Sequence, residues 1–246
     1  MTTKLEGHAS LSRATRRIRE KPALRAFYEE VYAKFAECVA RCPAGGMILE
    51  LGSGGGFLRE VLPDVVTSDV LPYPGIENVV DGTQMPFADG SLRAILMLNV
   101  FHHIPDCAAF LREASRCLAP GGRVFMVDQY PGWLSTPIYR YLHHEGFAPD
   151  APEWKFASSG PLSDANGALA WIVFERDAAR FLREFPDLEL VRFAPHSPLR
   201  YWLSGGLKWW SLIPSFAVGA AARIDHALAR MSPKLCSFVD VELVRR

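Results

Sequence analysis

The 246-residue chain lacks the features that mark several common protein classes. Its five cysteines are an odd number at irregular spacing, so they do not form a disulfide framework. Cys38 and Cys42 have no second pair with which to form a zinc site, and no metal site is predicted. We expect reduced thiols and a cytoplasmic location. The formal net charge is zero and no dense Lys/Arg stripe is present, which argues against a nucleic-acid partner.

Long apolar runs are absent as well. The longest uncharged run covers residues 209–222 and contains Pro214, and it is shorter than the ~20 residues that span a bilayer. The N-terminus is polar and charged, without the apolar segment of a signal peptide. We therefore expect no membrane span, although the Trp-rich stretch from Arg200 to Ile213 could lie at a membrane interface as a peripheral contact.

The apolar residues of the chain are enough to form one hydrophobic core. With 49% apolar and 22% charged residues, the chain is predicted to form a single domain over residues 1–246. Residues 10–19 and 23–41 have helical periodicity, and all six tryptophans fall in two long insertions. The expected parts are an N-terminal helical lid (1–45), a cofactor-binding core (46–129) and two cap insertions (130–175 and 195–233).

A glycine-rich turn at residues 48–57 is the most informative feature. An apolar run delivers Gly52, Gly54, Gly55 and Gly56, where the backbone can approach a ligand closely and a following helix would offer free N–H groups. A dinucleotide-binding G-x-G-x-x-G turn would need a third glycine at Phe57. The turn is therefore expected to hold a nucleotide-like ligand other than NAD, and an NAD-dependent oxidoreductase remains a minor alternative.

Glu50 opens an E-x-G-x-G-x-G pattern that resembles motif I of the class I S-adenosylmethionine (SAM) methyltransferases. The segment MPFADGS at 85–91 is similar to the "LPF-DGS" segment of that family. The block at 93–128 is similar to the region "hH-pD…lrE-xR-L-PGG" of the methyltransferases grouped around ubiquinone and menaquinone methylation, the type 11 group. The resemblance covers residues 46–129.

The resemblance implies SAM as cofactor, with S-adenosylhomocysteine (SAH) as product. Asp69, at the end of a β-branched run, stands where a carboxylate accepts the ribose hydroxyls. In the family, an acid at the place of Asp81 bonds the adenine amino group. The implied cofactor-binding residues are Glu50, Gly52, Ser53, Gly54, Gly56, Asp69, Val70, Asp81, Gly82 and Asn99.

The fold expected from these patterns is an α/β fold with a Rossmann-like, doubly wound, mostly parallel seven-stranded sheet. Strands are predicted at 65–69, 95–98, 124–127 and 188–193, and a short helix at 177–185. Residues 235–244 alternate polar and apolar side chains, which predicts a last antiparallel strand at an edge or in a hairpin with one wet face. The connection from Asp69 to Asp81 is short and predicts a bare loop without a helix.

Histidine is the natural base for removing a hydroxyl proton near neutral pH. His102 and His103 follow a predicted strand, and His143, His144 and Glu145 form a cluster in the first insertion. The sequence leaves open whether either pair packs, binds cofactor or acts as a base. The predicted catalytic residues are His103, His144 and Glu145.

These observations predict an enzyme, a SAM-dependent methyltransferase that acts on an oxygen of a small, apolar, sugar or lipid-linked acceptor. The Asp/Asn-Pro-Pro-Tyr box of amino-directed nucleic-acid methyltransferases is absent, because Asn99 is followed by Val100, Phe101 and His102. One alternative is C-methylation of a quinone or phenol ring. Another is a SAM-fold binding protein or complex subunit that does not transfer methyl groups. The oligomeric state is left open.

Overall fold

A computed structural model describes residues 2–160 and 164–246. Its centre is a seven-stranded sheet with the strand order β3-β2-β1-β4-β5-β7-β6. The strands from β3 to β5 are parallel, and β7 is antiparallel to both of its neighbours. The strands are β1 (Met47–Leu51), β2 (Val65–Asp69), β3 (Asn78–Val79), β4 (Leu92–Leu98), β5 (Leu118–Gln129), β6 (Leu188–His196) and β7 (Phe238–Arg245).

Helices cover the sheet and extend beyond it. The α-helices are α1 (Thr2–Glu20), α2 (Pro22–Ala40), α3 (Cys107–Cys117), α4 (Ser135–Tyr141), α5 (Leu169–Trp171), α6 (Ala178–Glu184), α7 (Arg200–Leu203) and α8 (Val218–Met231). A π-helical turn covers Ile172–Arg176, and 3₁₀ turns cover Leu58–Glu60, Phe101–His103, Ser215–Ala217 and Pro233–Leu235.

The expected doubly wound architecture is confirmed, and burial explains it. The inner part of β4 is fully buried, as expected of a parallel strand with helices on both faces. One core lies between the sheet and α3, where Phe110 and Leu111 pack. The other lies beneath α2, where Phe27 and Phe35 pack. The two helices predicted before the sheet and the loop from Asp69 to Asp81 are present, and that loop adds only the two-residue strand β3.

The expectation of one wet face on the last strand was wrong. β7 lies between β5 and β6 in the sheet, and its side chains from Phe238 to Leu243 are all buried. The polar members of the alternation, Asp240 and Glu242, face cations instead of water: Lys34 of α2 reaches Asp240, and Arg41 reaches Glu242. The polar residues that alternate along β7 therefore form a row of buried ion pairs.

Two local expectations also need correction. A 3₁₀ turn, Leu58–Glu60, follows the glycine-rich turn where an α-helix was expected, and a proline at position 63 follows it closely. The strand predicted at 124–127 is longer than expected, because β5 begins at Leu118 directly after Cys117, the last residue of α3. Leu118 pairs with Leu92, and a register shift separates this pairing from the rest of the ladder.

Two general expectations concern membranes and thiols. Among the described residues, no helix is both long and apolar enough to cross a membrane. All five cysteines are free thiols, and Cys38, Cys107, Cys117 and Cys236 are buried as small apolar side chains. The division into lid, core and caps stays an interpretation.

Candidate functional site

A cavity of about 1160 Å³ opens at the carboxyl ends of β1, β2 and β4. The carboxyl ends of parallel strands are the usual place for a ligand in this architecture. The cavity exceeds the ~300–1,000 Å³ of ordinary small-molecule sites, so it has room for more than one ligand. Its walls come from the glycine-rich turn, from both N-terminal helices and from both insertions.

The glycine-rich turn forms the floor of the cavity at its β1 end. Gly52 has a φ of 71° and lies against Val100, so a Cβ there would come within 2.4 Å of the Val100 side chain. A Cβ on Gly56 would come within 2.3 Å of the Tyr32 hydroxyl oxygen. The backbone N–H of Ser53 donates to the carbonyl oxygen of Ser68 at 2.8 Å, which joins the turn to β2. The turn is thus shaped for close approach of a ligand to the backbone.

Two carboxylates flank the turn without cations of their own. Glu50 is buried, and burial with the neighbouring Asp69 raises its pKa to about 7. Burial also raises the pKa of Asp69, against the opposing effect of hydrogen bonds from the backbone N–H groups of Leu71 and Gly54. Neither carboxylate forms an ion pair with a described residue, so both favour a ligand that donates hydrogen bonds or carries positive charge.

The other predicted cofactor residues lie along the same wall. Val70, Asp81, Gly82 and Asn99 all line the cavity. Asp81 is exposed and accepts hydrogen bonds from the backbone and hydroxyl of Thr83, which fixes its carboxylate at the rim. Asn99 follows β4 with a φ of 56°, and its buried Oδ1 has no hydrogen-bond partner among the described residues. An orphaned acceptor of this kind indicates a missing partner.

A cluster of His102, His103, Asp128 and Glu145 is here called the histidine cluster, and His102, His103 and Glu145 line the same cavity. The 3₁₀ turn after β4 carries both histidines, and the end of β5 carries Asp128. Glu145 comes from the first insertion, which docks on the turn because the N–H of Asn166 donates to the carbonyl oxygen of His102 at 2.9 Å. The insertion therefore completes the cluster.

Short contacts connect the cluster. His102 Nδ1 lies 2.7 Å from Asp128 Oδ1, and His102 Nε2 lies 3.2 Å from Glu145 Oε2. His103 Nε2 lies 3.5 Å from Glu145 Oε1. His144, the third predicted catalytic residue, reaches Glu145 at 3.7 Å, but 86% of its side chain is exposed at the rim. The structure thus brings His103 and Glu145 together and places His144 on the solvent side of them.

Charge within the cluster is strongly coupled. Burial lowers the pKa of His102, but Asp128 and Glu145 outweigh burial and raise this pKa to about 10. Burial raises the pKa of Glu145, but the two imidazoles outweigh it and hold that pKa well below its usual range. The cluster therefore favours a positive charge between its carboxylates.

Sequence reasoning missed Asp128 and Gln129. Asp128 was recognised only as a strand end, although its place at the carboxyl end of β5 is the same signal that identified Asp69. Gln129 Nε2 donates to Glu145 Oε2 at 3.0 Å, a contact that depends on the fold of the insertion. Within the expected N-terminal helical lid, Tyr28 lines the cavity, whereas Phe27 packs in the core beneath α2.

Comparison with known proteins identifies the core. Residues 49–126 match the family model described as a methyltransferase domain. The ubiquinone biosynthesis O-methyltransferase of Xanthomonas axonopodis pv. citri (strain 306) is 27% identical over 103 residues, which are 34% of this chain and 43% of that protein. The chloroplastic tocopherol O-methyltransferase of Arabidopsis thaliana is 33% identical over 64 residues, 26% of this chain and 18% of that protein.

The fold gives a longer match. The crystal structure of geranyl diphosphate C-methyltransferase from Streptomyces coelicolor A3(2), in complex with Mg²⁺, geranyl diphosphate and SAH, superimposes with a TM-score of 0.55. The match covers 95% of this chain and 85% of that one at 13% identity. Residues 49–126 of this chain are therefore a methyltransferase domain, and the chain has the Rossmann-like methyltransferase fold. The chain spans less than half the length of the two curated relatives named above.

The residues of this methyltransferase domain fit SAM. One cavity is lined by three features that a ligand would complete. They are the turn that leaves no room for a Cβ at Gly52 and Gly56, the carboxylates of Glu50 and Asp69 that lack cations, and the Asn99 Oδ1 without a hydrogen-bond partner among the described residues. An adenosyl ligand with ribose hydroxyls and an ammonium group offers the donors and the positive charge that these groups lack. One cavity therefore contains both the residues that fit the cofactor and three members of the histidine cluster.

Proposed function

We propose that this chain transfers the methyl group of SAM to an oxygen of a small, apolar or lipid-linked acceptor, with a phenolic hydroxyl as the first choice. The observation that carries the proposal is the shared cavity: the glycine-rich turn and Asp69 line the same space as His102, His103 and Glu145. Cofactor residues and proton-accepting residues in one cavity are the two parts that O-methylation needs.

The cofactor residues divide the work of holding SAM. Asp69 would accept the ribose hydroxyl groups, and Asp81 at the rim would accept from the adenine amino group, with Val70 and Gly82 as the walls beside them. Gly52, Ser53, Gly54 and Gly56 would present backbone to the ligand. Glu50 and Asn99 would face the amino-acid end of the cofactor. When bound, SAM supplies an electrophilic methyl group on a positively charged sulfur.

The histidine cluster would handle the acceptor proton. His103, oriented by Glu145, lies at the cavity wall and would take the hydroxyl proton, with the bond electrons remaining on the acceptor oxygen. His144 at the rim would pass that proton to solvent. His102 is buried between two carboxylates and would position Glu145 without touching the acceptor.

The apolar character of the acceptor is supported by the caps. Ile138, Leu142, Leu207 and Trp210 line the cavity from the two insertions. The two curated relatives of the core named above are an O-methyltransferase of ubiquinone biosynthesis and a tocopherol O-methyltransferase. Both names concern apolar compounds, which supports an apolar hydroxylated acceptor here. C-methylation of the same kind of ring is the alternative reaction.

Titration calorimetry with SAM, SAH and NAD is the first test, followed by measurement of SAH formation with phenols, sugars and lipid-linked hydroxyl compounds. We expect micromolar binding of SAM and SAH, no NAD binding, and methyl ether formation with an apolar phenol. Binding without turnover on any acceptor would favour a non-catalytic SAM-binding protein. A ring-methylated product would replace O-methylation with C-methylation.

Lipid linkage of the acceptor has its own test. Trp209, Leu212 and Phe216 of the second insertion are exposed, close in sequence to the cavity-lining Trp210. We expect the chain to sediment with anionic vesicles and the double variant Trp209→Ala/Phe216→Ala to remain in solution. Absence of vesicle binding together with full activity on water-soluble acceptors would contradict a lipid-linked acceptor.

A further inference from the structure

We propose that His102, His103 and Glu145 bind one divalent transition-metal ion, with Zn²⁺ as the first choice, at the wall of the cofactor cavity. The three side chains each offer one ligand atom, and these atoms lie within 4.8 Å of one another. Two imidazoles and one carboxylate are a common protein ligand set for catalytic zinc. The site departs from the expectation that the chain has no metal site.

The distances suit a metal better than simple ion pairs. His102 Nε2 lies 3.2 Å and His103 Nε2 lies 3.5 Å from the nearer oxygen of Glu145. Ligands about 2.1 Å from a tetrahedral ion lie ~3.4 Å from each other. Charge-assisted N–H···O hydrogen bonds are shorter, about 2.7–2.9 Å, and the His102–Asp128 contact at 2.7 Å is of that kind. The contacts to Glu145 therefore have the spacing of neighbouring ligands.

Each ligand has a partner that would orient it. His102 Nδ1 faces Asp128 Oδ1, and His103 Nδ1 lies 3.3 Å from the carbonyl oxygen of Asp164. Glu145 Oε2, the oxygen nearer to His102, also accepts a hydrogen bond from Gln129 Nε2. Metal-bound histidines nearly always donate their second ring nitrogen to a carboxylate or carbonyl oxygen, which directs the other nitrogen to the metal. Both Nε2 atoms are thus directed towards Glu145.

Charge also favours a cation at this point. With both imidazoles neutral, Asp128 and Glu145 contribute two negative charges, which match a divalent ion. Nitrogen ligands select zinc and its first-row neighbours over Mg²⁺ and Ca²⁺, which prefer all-oxygen sites. Three protein ligands leave a coordination position open, and the cavity lies in front of it.

A metal here would have a structural and a chemical consequence. Glu145 belongs to the first insertion and both histidines to the core turn, so the ion would cross-link the cap to the core. With the ion bound, the open position would accept the acceptor hydroxyl and lower its pKa. His103 Nε2 would then hold the ion instead of taking the proton, so the proton would leave to water or to His144. This role rests on the proposed function, whereas metal binding itself does not.

The test uses the full chain without a histidine tag, stripped with a chelator and titrated with Zn²⁺ and then with Co²⁺. We expect one equivalent of Zn²⁺ to bind and Co²⁺ to give the visible absorption of a low-coordinate site. Binding should weaken at least tenfold in His103→Ala and in the near-isosteric Glu145→Gln. His226→Ala removes an exposed histidine of α8 that pairs with Glu30, and it should bind Zn²⁺ like the parent.

Circular dichroism and SAH titration on each sample separate the possible failures. Zn²⁺ binding that is absent, or equal in Glu145→Gln and the parent, overturns the metal site even if SAH binds normally. Tight Zn²⁺ binding with no SAH binding overturns the proposed function and leaves the metal site standing. A variant that still binds SAH with parental affinity is folded, so its loss of Zn²⁺ reports on the ligand itself.

Discussion

Two groups of carboxylates at the same sheet have different partners. On the α2 side, Asp240 is held by Lys34, Arg192 and His196, and Glu242 by Arg41 and Arg123, a group called here the strand-cation cluster. On the cavity side, the ion-pair partners of Asp128 and Glu145 among the described residues are imidazoles alone. Lysine and arginine have no lone pair to offer when charged, whereas imidazole can accept a proton or bind a metal.

The difference indicates which cluster serves structure and which serves chemistry. In the strand-cation cluster, Lys34 and Arg41 join α2 and its end to β7, and no member of the cluster is among the described residues that line the cavity, so its charges join a helix to the sheet. A third pair, Glu50 and Asp69, has no cation from the described part of the chain and lies at the cofactor end. Carboxylates that the chain leaves unpaired are the ones expected to meet a ligand.

Replacing Glu145 should have the largest effect on methyl transfer and so distinguish the histidine cluster most clearly from the strand-cation cluster. Glu145→Gln keeps the shape but loses the charge that orients His103, so we expect methyl transfer to fall ~10²–10⁴-fold. SAH affinity should change less than threefold, because Glu145 is not among the residues proposed to hold the cofactor. Steady-state kinetics and calorimetry measure both. Glu184→Gln, which breaks an exposed pair with Arg180, is the matched control and should keep full activity.

Replacing Asp240 should have the reverse outcome. Asp240 is only 1% exposed, and Asp240→Asn leaves Lys34 and Arg192 without their buried partner, which costs about 3–5 kcal/mol of unfolding free energy. Denaturant unfolding measures this loss. Asp89→Asn, which breaks an exposed pair with Arg116, should change stability by less than ~1 kcal/mol. A loss of methyl transfer in folded Asp240→Asn at parental stability would refute the division between the clusters.

Asp69→Asn tests the unpaired carboxylates at the cofactor end. Hydrogen bonds to a charged group contribute about 1.5–3 kcal/mol, so SAH affinity should fall ~10–100-fold with little change in stability. Titration calorimetry measures the affinity. Asp64→Asn, an exposed acid before β2, is the control and should bind SAH like the parent. Unchanged affinity in Asp69→Asn would show that the ribose end of the cofactor lies elsewhere.

The sequence predicted the structure well where backbone conformation or the periodicity of apolar residues determines it. The glycine-rich turn, the parallel strands and Asp69 could be predicted because a close backbone approach and two-sided burial leave direct traces in residue type. Asp240 and Glu242 were misread because their alternation is the same whether water or a cation covers the strand. Lys34, a partner of Asp240, lies 206 positions away in the sequence, so no local sequence pattern could reveal the pair.

The candidate site was predictable to a similar extent. His103, His144 and Glu145 were proposed from their chemistry, but nothing in the sequence indicated that the insertion returns to the turn after β4. Asn166 makes that contact with a backbone bond, which any residue type could form. The roles of Asp128 and Gln129 follow from the docked insertion and could be recognised only in three dimensions.

The smallest expected effect concerns the pH dependence set by Glu50. Its folded-state pKa is raised from 4.5 to about 7 by burial, with Asp69 adding to the shift. A raised pKa means that the stability contributed by protonated Glu50 is full below the unfolded value and is lost as pH rises through about 7. Between pH 4.5 and 7.5 the parent should therefore lose on the order of 2 kcal/mol relative to Glu50→Gln.

Denaturant unfolding of both proteins across that pH range measures the difference in stability. The pH dependence of SAH affinity is a second, independent measurement. Ionised Glu50 attracts an ammonium group, so SAH affinity of the parent should rise with pH through about 7, whereas that of Glu50→Gln should stay flat. Asp69, Tyr28 and Tyr32 are the titratable neighbours of Glu50, and the two tyrosines stay neutral in this range because burial raises their pKa values. If SAH affinity rose with pH equally in both proteins, the pH dependence would be assigned to Asp69 instead. The slope of the parent alone would identify Glu50 as the buried carboxylate that the chain leaves unpaired for its cofactor.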